Sequence, residues 1–220
     1  MGDIDIYHII QRIAMIAPGF LLAITVHEFT HGYIAYKFGD PTAKLAGRLT
    51  FNPISHLDAI GTIILVVTQM IGWAKPVPVD PRYFKNPRTD MLWVSLGGPA
   101  ANLVTAIILA VLMHVLIFLT GGQVSGQIST VILVPLYMIL LFAVRINIVL
   151  AIFNLIPVPP LDGSKILSGL LPRKQAYEFE KLEPYGPIIL LIVLVFTNAI
   201  NYIIWPPIRI IEGLLLGGLR

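Results

Sequence analysis

Residues 23–39 read AITVHEFTHGYIAYKFG, an apolar run typical of a membrane span, yet it carries His27, Glu28 and His31. A charge in the middle of a membrane costs at least about 2.5–3.5 kcal/mol, so these groups need an explanation. On an α-helix, positions four apart lie on one face, so His27 and His31 project together and can chelate one metal ion. Glu28 follows the first histidine directly and can act on a water molecule beside that metal.

The H-E-x-x-H order is too rare to be accidental. Random placement of the five histidines and five glutamates among 220 positions gives it about 0.003 times per chain. A lone intramembrane histidine is more simply explained as a polar group satisfied by neighbouring helices. Three such groups in this order instead indicate a metal site.

The composition is that of a membrane protein. Of the 220 residues 56% are hydrophobic and 12% are charged, and the mean hydropathy is +0.83, whereas soluble domains carry about 25% charged residues. We expect one membrane domain over 1–220 and, because the first residues lack a basic start and a cleavage site, no signal peptide. The absence of cysteine leaves histidine and carboxylates as metal ligands. The net charge of +3, spread over several loops, argues against nucleic-acid binding.

Four apolar segments are long enough to cross the hydrocarbon core, which takes about 20 helical residues. They are 10–37, 91–119, 130–156 and 186–204. The tail after Pro206 and Pro207 is too short to span and is expected in the interface. We therefore predict an all-α membrane protein, a polytopic transmembrane helix bundle with a small β-hairpin or re-entrant segment at its surface.

That surface segment lies between the first two spans. Residues 44–58 are polar and alternate around Leu45, Leu49 and Phe51, which predicts a short strand or hairpin. Residues 59–73 are apolar but flanked on both sides by basic residues, so we expect a re-entrant or interfacial segment. By the same positive-inside rule the uncharged loop 120–130 is external. The active site then faces the cytoplasmic side of the cell membrane.

A catalytic zinc ion takes three protein ligands and keeps one position open, so a third ligand must lie outside the first motif. His56 and Asp58 are candidates, but a solvated role is expected for residues in a surface loop. His114 lies towards the outer end of its span and His8 near the external start of the first one. Both are far from the inner half of the first span, where the motif lies.

Asp162 is the best candidate for the third ligand. It lies in FNLIPVPPLDGSKIL (153–167), where three prolines break a helix that runs inward from the external loop. Backbone freed in this way is tolerated at membrane depth only where it lines protein or a water-filled cavity, and a hydrolytic site needs such a cavity. His27 and His31 lie roughly 5–10 Å inward of the middle of their span, near the depth of the break. Without the histidine motif, Asp162 could equally be a turn residue.

These residues give the sequence a resemblance to the site-2 protease family of intramembrane zinc metalloproteases. HEFTH (27–31) and NLIPVPPLDG (154–163) match the two metal-binding motifs of that family, and GGPAAN (97–102) and FNPISHLDAIGT (51–62) are also similar to it. The match runs from about residue 20 to 170. It implies Zn²⁺ on His27, His31 and Asp162, Glu28 as the catalytic acid/base, and Asn154 holding the scissile backbone or its oxyanion.

The resemblance also implies single-span membrane-protein or peptide substrates, cleaved within or near their membrane segments among membrane lipids. No insertion is long enough for the PDZ or CBS domain of many members, so a compact form is expected. The polar segment 44–58 could add an extended substrate as a strand, or be a plain connecting hairpin. Arg145, in the middle of a span, has no evident partner in the sequence.

Two other functions stay open. A divalent metal transporter would also place His, Asp and Asn at membrane depth, but it needs ligands along a route through both leaflets and often shows paired repeats. A non-catalytic scaffold leaves the H-E-x-x-H pattern unexplained. The glycines of GGPAAN lack the Lys-Ser/Thr of a phosphate-binding loop and predict close helix packing instead.

Overall fold

The computed structural model of the protein describes residues 6–68, 72–121, 129–198 and 200–217. Within these ranges the chain is mostly helical. The helices are α1 (Ile6–Lys37), α2 (Thr42–Leu45), α3 (Ala59–Thr68), α4 (Pro87–Leu119), α5 (Val134–Asn154), α6 (Asp162–Leu170), α7 (Arg173–Glu180), α8 (Gly186–Phe196) and α9 (Trp205–Leu216). Short 3₁₀ turns and two π-helical turns join or extend them.

Helices α1, α4 and α5 pack against one another and form the centre of the molecule. Small residues let them approach closely, since a Cβ atom at Gly19 of α1 would lie 2.6 Å from Cα of Ala143 in α5. The largest buried apolar cluster lies between α4, α5 and the C-terminal segment. Its members are Ala106, Ala110, Met113, Leu140, Val144, Ile148, Ile204, Ile208 and Leu216.

Three helices of the described ranges are long and apolar enough to cross a membrane: Ile10–Lys37, Pro87–Leu119 and Thr130–Asn154. They correspond to the first three predicted spans, with ends that differ by up to four residues. The prediction of a multi-pass membrane helix bundle is therefore confirmed.

The fourth predicted span, 186–204, is wrong as a single helix. Helix α8 ends at Phe196, because Thr197 takes an extended backbone with φ −118° and ψ 160°. Its 11 residues reach about 16 Å, half the thickness of the hydrocarbon core. Thr and Asn compete with helical hydrogen bonds through their side chains, and the sequence at this break is Thr197-Asn198.

The C-terminal tail, for which we predict an interfacial position, packs against the bundle. Helix α9 contacts α5, and Ile208 is 1% exposed within the apolar cluster. Arg145, which has no evident partner in the sequence, pairs with Glu212 of α9. The distance from Arg145 Nε to Glu212 Oε1 is 3.4 Å.

The predicted β-hairpin at 44–58 does not form, and the described residues contain no strand. Gly47 takes a positive φ of 66°, and Pro53 opens a 3₁₀ turn over Pro53–His56. Proline lacks an N–H for a strand ladder and glycine favours turns, so the alternation of apolar residues is overruled. The nearest feature to a sheet is an isolated antiparallel bridge between Leu57 and Ala74.

The apolar segment 59–73 begins as helix α3, whose ten residues reach only about 15 Å and cannot cross the hydrocarbon core. Residues 69–71 of the segment lie outside the described ranges. Farther along the chain, the predicted proline break is present. Helix α5 ends at Asn154 and α6 begins at Asp162, so the intervening turns bring Asp162 to the start of a new helix.

Candidate metal centre

Three predicted ligands meet in the structure. His27 and His31 project from one face of α1 towards Asp162, the first residue of α6. The distance from Asp162 Oδ2 to Nε2 is 3.1 Å for His27 and 3.2 Å for His31, and the two Nε2 atoms lie 3.0 Å apart. Both histidines are largely buried, with 6% and 8% of their surface exposed. Among the described residues this is the only His, Asp and Glu cluster with metal-binding geometry.

Helix α4 forms the floor of this cluster. Gly98 lies directly beneath the two imidazole rings, and a Cβ atom there would collide with Nε2 of His31. A Cβ at Gly97 would likewise meet the side chain of Ile34 on α1. The prediction that these glycines serve close helix packing is confirmed, and the structure adds that the packing makes room for the histidine side chains.

Hydrogen bonds on the far side of each ring fix the tautomers. Nδ1 of His31 lies 2.7 Å from the carbonyl oxygen of Val94, which can only accept, so Nδ1–H donates to it. Nδ1 of His27 lies 2.7 Å from Oδ1 of Asn102 and donates to that amide oxygen. In neutral rings both Nε2 atoms then carry lone pairs that face Asp162. This arrangement, with Nδ1 held by an oxygen, is the usual one for histidine ligands of metals.

The cluster fits a zinc ion. Oδ2 of Asp162 is buried and has no hydrogen-bond partner, although two imidazole nitrogens lie within 3.2 Å of it. Three lone-pair donors facing one another repel unless a proton or a metal ion lies between them. Ligands about 2.0–2.1 Å from a tetrahedral zinc are separated by roughly 3.3 Å, close to the distances seen here. Two histidines and a carboxylate also form a donor set that catalytic zinc uses.

The charge state of Asp162 suits the same role. Burial raises the pKa of this carboxyl group, but in the metal-free site the positive charge of a protonated His31 and hydrogen bonds from both rings outweigh that effect and hold the pKa well below its ordinary value. The carboxylate is therefore ionised at neutral pH, which is the form that binds a metal.

Glu28 lies beside the three potential ligands, but its side chain accepts a hydrogen bond from the segment between α3 and α4. Its Oε2 accepts a hydrogen bond of 2.8 Å from the backbone N–H of Val77. Val77 belongs to an irregular segment between α3 and α4, and its side chain is buried. This contact holds one carboxylate oxygen of Glu28 and leaves the other, Oε1, for a different partner.

The alternative third ligands take local roles. His56 is completely buried and its Nε2–H donates to the carbonyl of Thr50 at 2.8 Å. Asp58 accepts from the backbone N–H of Gly61 at 2.8 Å, in the first turn of α3. Neither residue belongs to the cluster. The solvated loop role is thus wrong for His56, whose ring lies in the interior.

The remaining predicted residues lie on the long helices. His114 donates from Nδ1 to the carbonyl of Ala110 in its own helix, and His8 lies near the start of α1. The Asn154 side chain donates to the carbonyl of Leu150, 3.0 Å away, at the end of α5. His114 does not belong to the cluster.

Sequence reasoning missed Asn102. It closes the GGPAAN stretch, is completely buried, and contacts His27 from the second helix of the central bundle. The available signal was an amide in the middle of an apolar helix, four residues after the glycine beneath the rings. Polar groups at that depth are commonly functional.

A cleft of about 520 Å³ opens next to the metal cluster. It lies between the start of α4, α6 and α7, and Ser164 and Lys165 of α6 line it two and three residues after Asp162. The residues that line the cleft do not include the three potential ligands. The cleft is therefore separate from the three potential ligands.

Known proteins share this sequence pattern. The profile described as "Peptidase family M50" matches residues 15–196. The chain is 40% identical over 207 residues to "Putative zinc metalloprotease YwhC" of Bacillus subtilis, covering 93% of this chain and 90% of that protein. It is 27% identical over 197 residues to "Putative zinc metalloprotease Rip2" of Mycolicibacterium smegmatis, covering 85% and 68% respectively. No solved structure matches significantly. The chain therefore belongs to peptidase family M50, the site-2 protease family, and is a zinc metalloprotease of the membrane.

Proposed function

We propose that this protease hydrolyses peptide bonds within or near the transmembrane segments of membrane-protein substrates, with Zn²⁺ held by His27, His31 and Asp162 and with Glu28 as the catalytic acid/base. The observation that carries this proposal is the convergence of three potential donor atoms, 3.0–3.2 Å apart, on the buried side of α1. Glu28 follows the first of these ligands directly in the same helix.

The chemistry divides between the metal and the protein. His27, His31 and Asp162 would hold a zinc ion, which would supply Lewis acidity that makes water a nucleophile near neutral pH and polarises the scissile carbonyl. Glu28 takes the proton from that water and later passes it to the leaving nitrogen. The N–H of Val77 holds Oε2 of Glu28 at 2.8 Å, so Oε1 is the oxygen that accepts the proton.

Asn154 is proposed to donate an amide hydrogen to the scissile backbone or to the oxyanion that develops during hydrolysis. Its Nδ2 holds the carbonyl of Leu150 at the last turn of α5, immediately before the turns that lead to Asp162. An amide carries two N–H groups, so this bond leaves one of them for a substrate.

We also propose that the site faces the cytoplasm. Several basic residues flank the ends of the helices that carry the two motifs: Lys37 at the end of α1, and Lys165, Arg173 and Lys174 after Asp162. A cysteine-free chain allows a direct test. In intact cells, Lys165→Cys should resist an impermeant thiol reagent added outside, whereas Thr120→Cys should react. The opposite pattern would invert the topology.

The experiment for the activity uses purified protein in detergent and a panel of single-span membrane proteins. Wild-type protein should cut within the span, lose cleavage with a zinc chelator and recover it with added Zn²⁺. Asn154→Ala should retain zinc and lower kcat by about 10²–10³-fold, as lost oxyanion donors do. Zinc flux into vesicles without cleavage of any substrate would favour a divalent metal transporter and overturn the proposal.

A further inference from the structure

We propose that Asn102 and Asn147 are positioning residues that decide which ring nitrogen of His27 carries the proton, so that Nε2 presents its lone pair to the metal. The inference rests on the proposed metal site and adds two residues that do not touch the metal. It starts from a chain of hydrogen bonds through the centre of the bundle, linking α1, α4 and α5.

Both asparagines are completely buried, with 0% of their surface exposed. Asn102 Nδ2 donates to the carbonyl of Ala23 on α1 and to Oδ1 of Asn147, each at 2.9 Å. Asn147 Nδ2 donates to the carbonyl of Ala143 in its own helix at 2.8 Å. Oδ1 of Asn102 is then the atom that meets Nδ1 of His27 at 2.7 Å.

The direction of this chain is set by backbone groups that can only accept. The carbonyl of Ala143 requires an N–H from Asn147, which turns Oδ1 of that side chain towards Asn102. The carbonyl of Ala23 and this Oδ1 together require both N–H groups of Asn102. Only its oxygen is left for His27, so Nδ1 of the ring must carry the proton and Nε2 the lone pair.

Reversing either amide would remove the lone pair that Nε2 of His27 offers to the metal. If Asn102 turned its Nδ2 to His27, Nδ1 would become the acceptor and Nε2 would carry a proton towards Asp162. A protonated Nε2 cannot bind a metal ion. Hydrogen-bond partners behind metal-bound histidines typically account for about 10–100-fold in metal affinity.

His31 provides an internal reference. Its Nδ1–H donates to the backbone carbonyl of Val94, which no side-chain substitution removes. A change at Asn102 or Asn147 should therefore affect the tautomer of His27 and leave that of His31 unchanged. A general loosening of the bundle would affect both rings alike.

The test uses full-length protein in detergent micelles, with two readouts. Zinc affinity is measured by competition with a chelator. Histidine tautomers are read from long-range ¹H–¹⁵N spectra of metal-free, ¹⁵N-histidine-labelled protein. Asn102→Leu should weaken zinc binding by about 10–100-fold and remove the Nδ1–H preference of His27 alone. Thr25→Val is the matched control, because that buried hydroxyl of α1 has no hydrogen-bond partner in the described residues.

A second pair of variants tests the direction of the chain. Asn147→Leu removes the acceptor for Asn102 and should also weaken zinc binding. Burial at this position favours the neutral carboxylic acid in Asn147→Asp, which keeps an O–H for Ala143 and a carbonyl oxygen for Asn102 and should bind zinc nearly as wild type does. If Asn102→Leu does not fold, the zinc affinities of Asn147→Leu and Asn147→Asp still test the inference.

The outcomes separate the inference from the proposed function. Equal zinc affinity and an unchanged His27 tautomer in Asn102→Leu or Asn147→Leu would overturn the inference, as would equal weakening of Asn147→Leu and Asn147→Asp. If wild-type protein and His31→Ala bind zinc equally poorly, the metal site itself is wrong. Weaker binding with a changed His27 tautomer in the leucine variants, restored in Asn147→Asp, is the result expected.

Discussion

Two polar residues on α5, only two positions apart, have opposite surroundings. Asn147 faces α4, is completely buried, and has both ends of its amide bonded at 2.8 and 2.9 Å. Arg145 faces α9, and 48% of its side chain is exposed beside Glu212 at 3.4 Å. The first belongs to a chain of short bonds that ends at a potential zinc ligand, whereas the second closes a loose ion pair.

The difference teaches how to interpret polar groups in an apolar helix. A charge near mid-span needs a partner mainly because it is costly there, and Glu212 meets that need for Arg145 without any link to the metal cluster. Buried amides with every donor and acceptor engaged fix one arrangement of the groups around them. The inner face of α5 should therefore control the site, and the outer face should control how the C-terminal segment packs.

The largest effect on zinc binding is expected from substitution of the three potential zinc ligands. His27→Ala, His31→Ala and Asp162→Ala each remove one of three donors, so zinc content should fall from one ion per chain to background and cleavage should cease. The loss of zinc affinity should exceed the ~10–100-fold expected when a histidine ligand loses the hydrogen bond on its far side. Elemental analysis of the purified variants measures it. Full zinc occupancy in all three would refute the site.

The smallest effect on the site is expected from Glu212→Leu. It leaves Arg145 unpaired near mid-span and should destabilise the protein by at most about 2.5–3.5 kcal/mol, the cost of such a charge at a helix centre. The double variant Arg145→Leu with Glu212→Leu should recover most of that stability. Unfolding in denaturing detergent gives the stabilities, and zinc content should stay at the wild-type level throughout. Loss of zinc in the double variant would contradict the proposal that the face of α5 carrying Arg145 has no influence on the metal site.

The convergence of His27, His31 and Asp162 could be predicted from the sequence because each motif encodes its geometry locally. Four-residue spacing puts His27 and His31 on one helical face, and the prolines after Asn154 end α5 just before Asp162. Agreement in depth was enough to bring the two motifs together, since long spans leave little freedom along the membrane normal. The third ligand could therefore be inferred without knowing how the helices pack.

Features that depend on packing were not predictable in the same way. The contacts of Asn102 and Asn147 arise where α4 and α5 cross α1, and no sequence spacing relates these positions. The prediction of a continuous fourth span over 186–204 failed because hydropathy does not reveal the break at Thr197. At 44–58, apolar alternation suggested a hairpin, but Gly47 and Pro53 decided the backbone.

The central claim is that Glu28 does the proton transfer beside a zinc ion it does not bind. Its most direct test is Glu28→Gln, assayed beside wild type for zinc content and for cleavage of one single-span substrate. Gln keeps the size and can still meet Val77, but it cannot accept the proton of the water. The account predicts full zinc occupancy with cleavage reduced by about 10²–10⁴-fold or more. Cleavage at the wild-type rate by the zinc-loaded variant would contradict it.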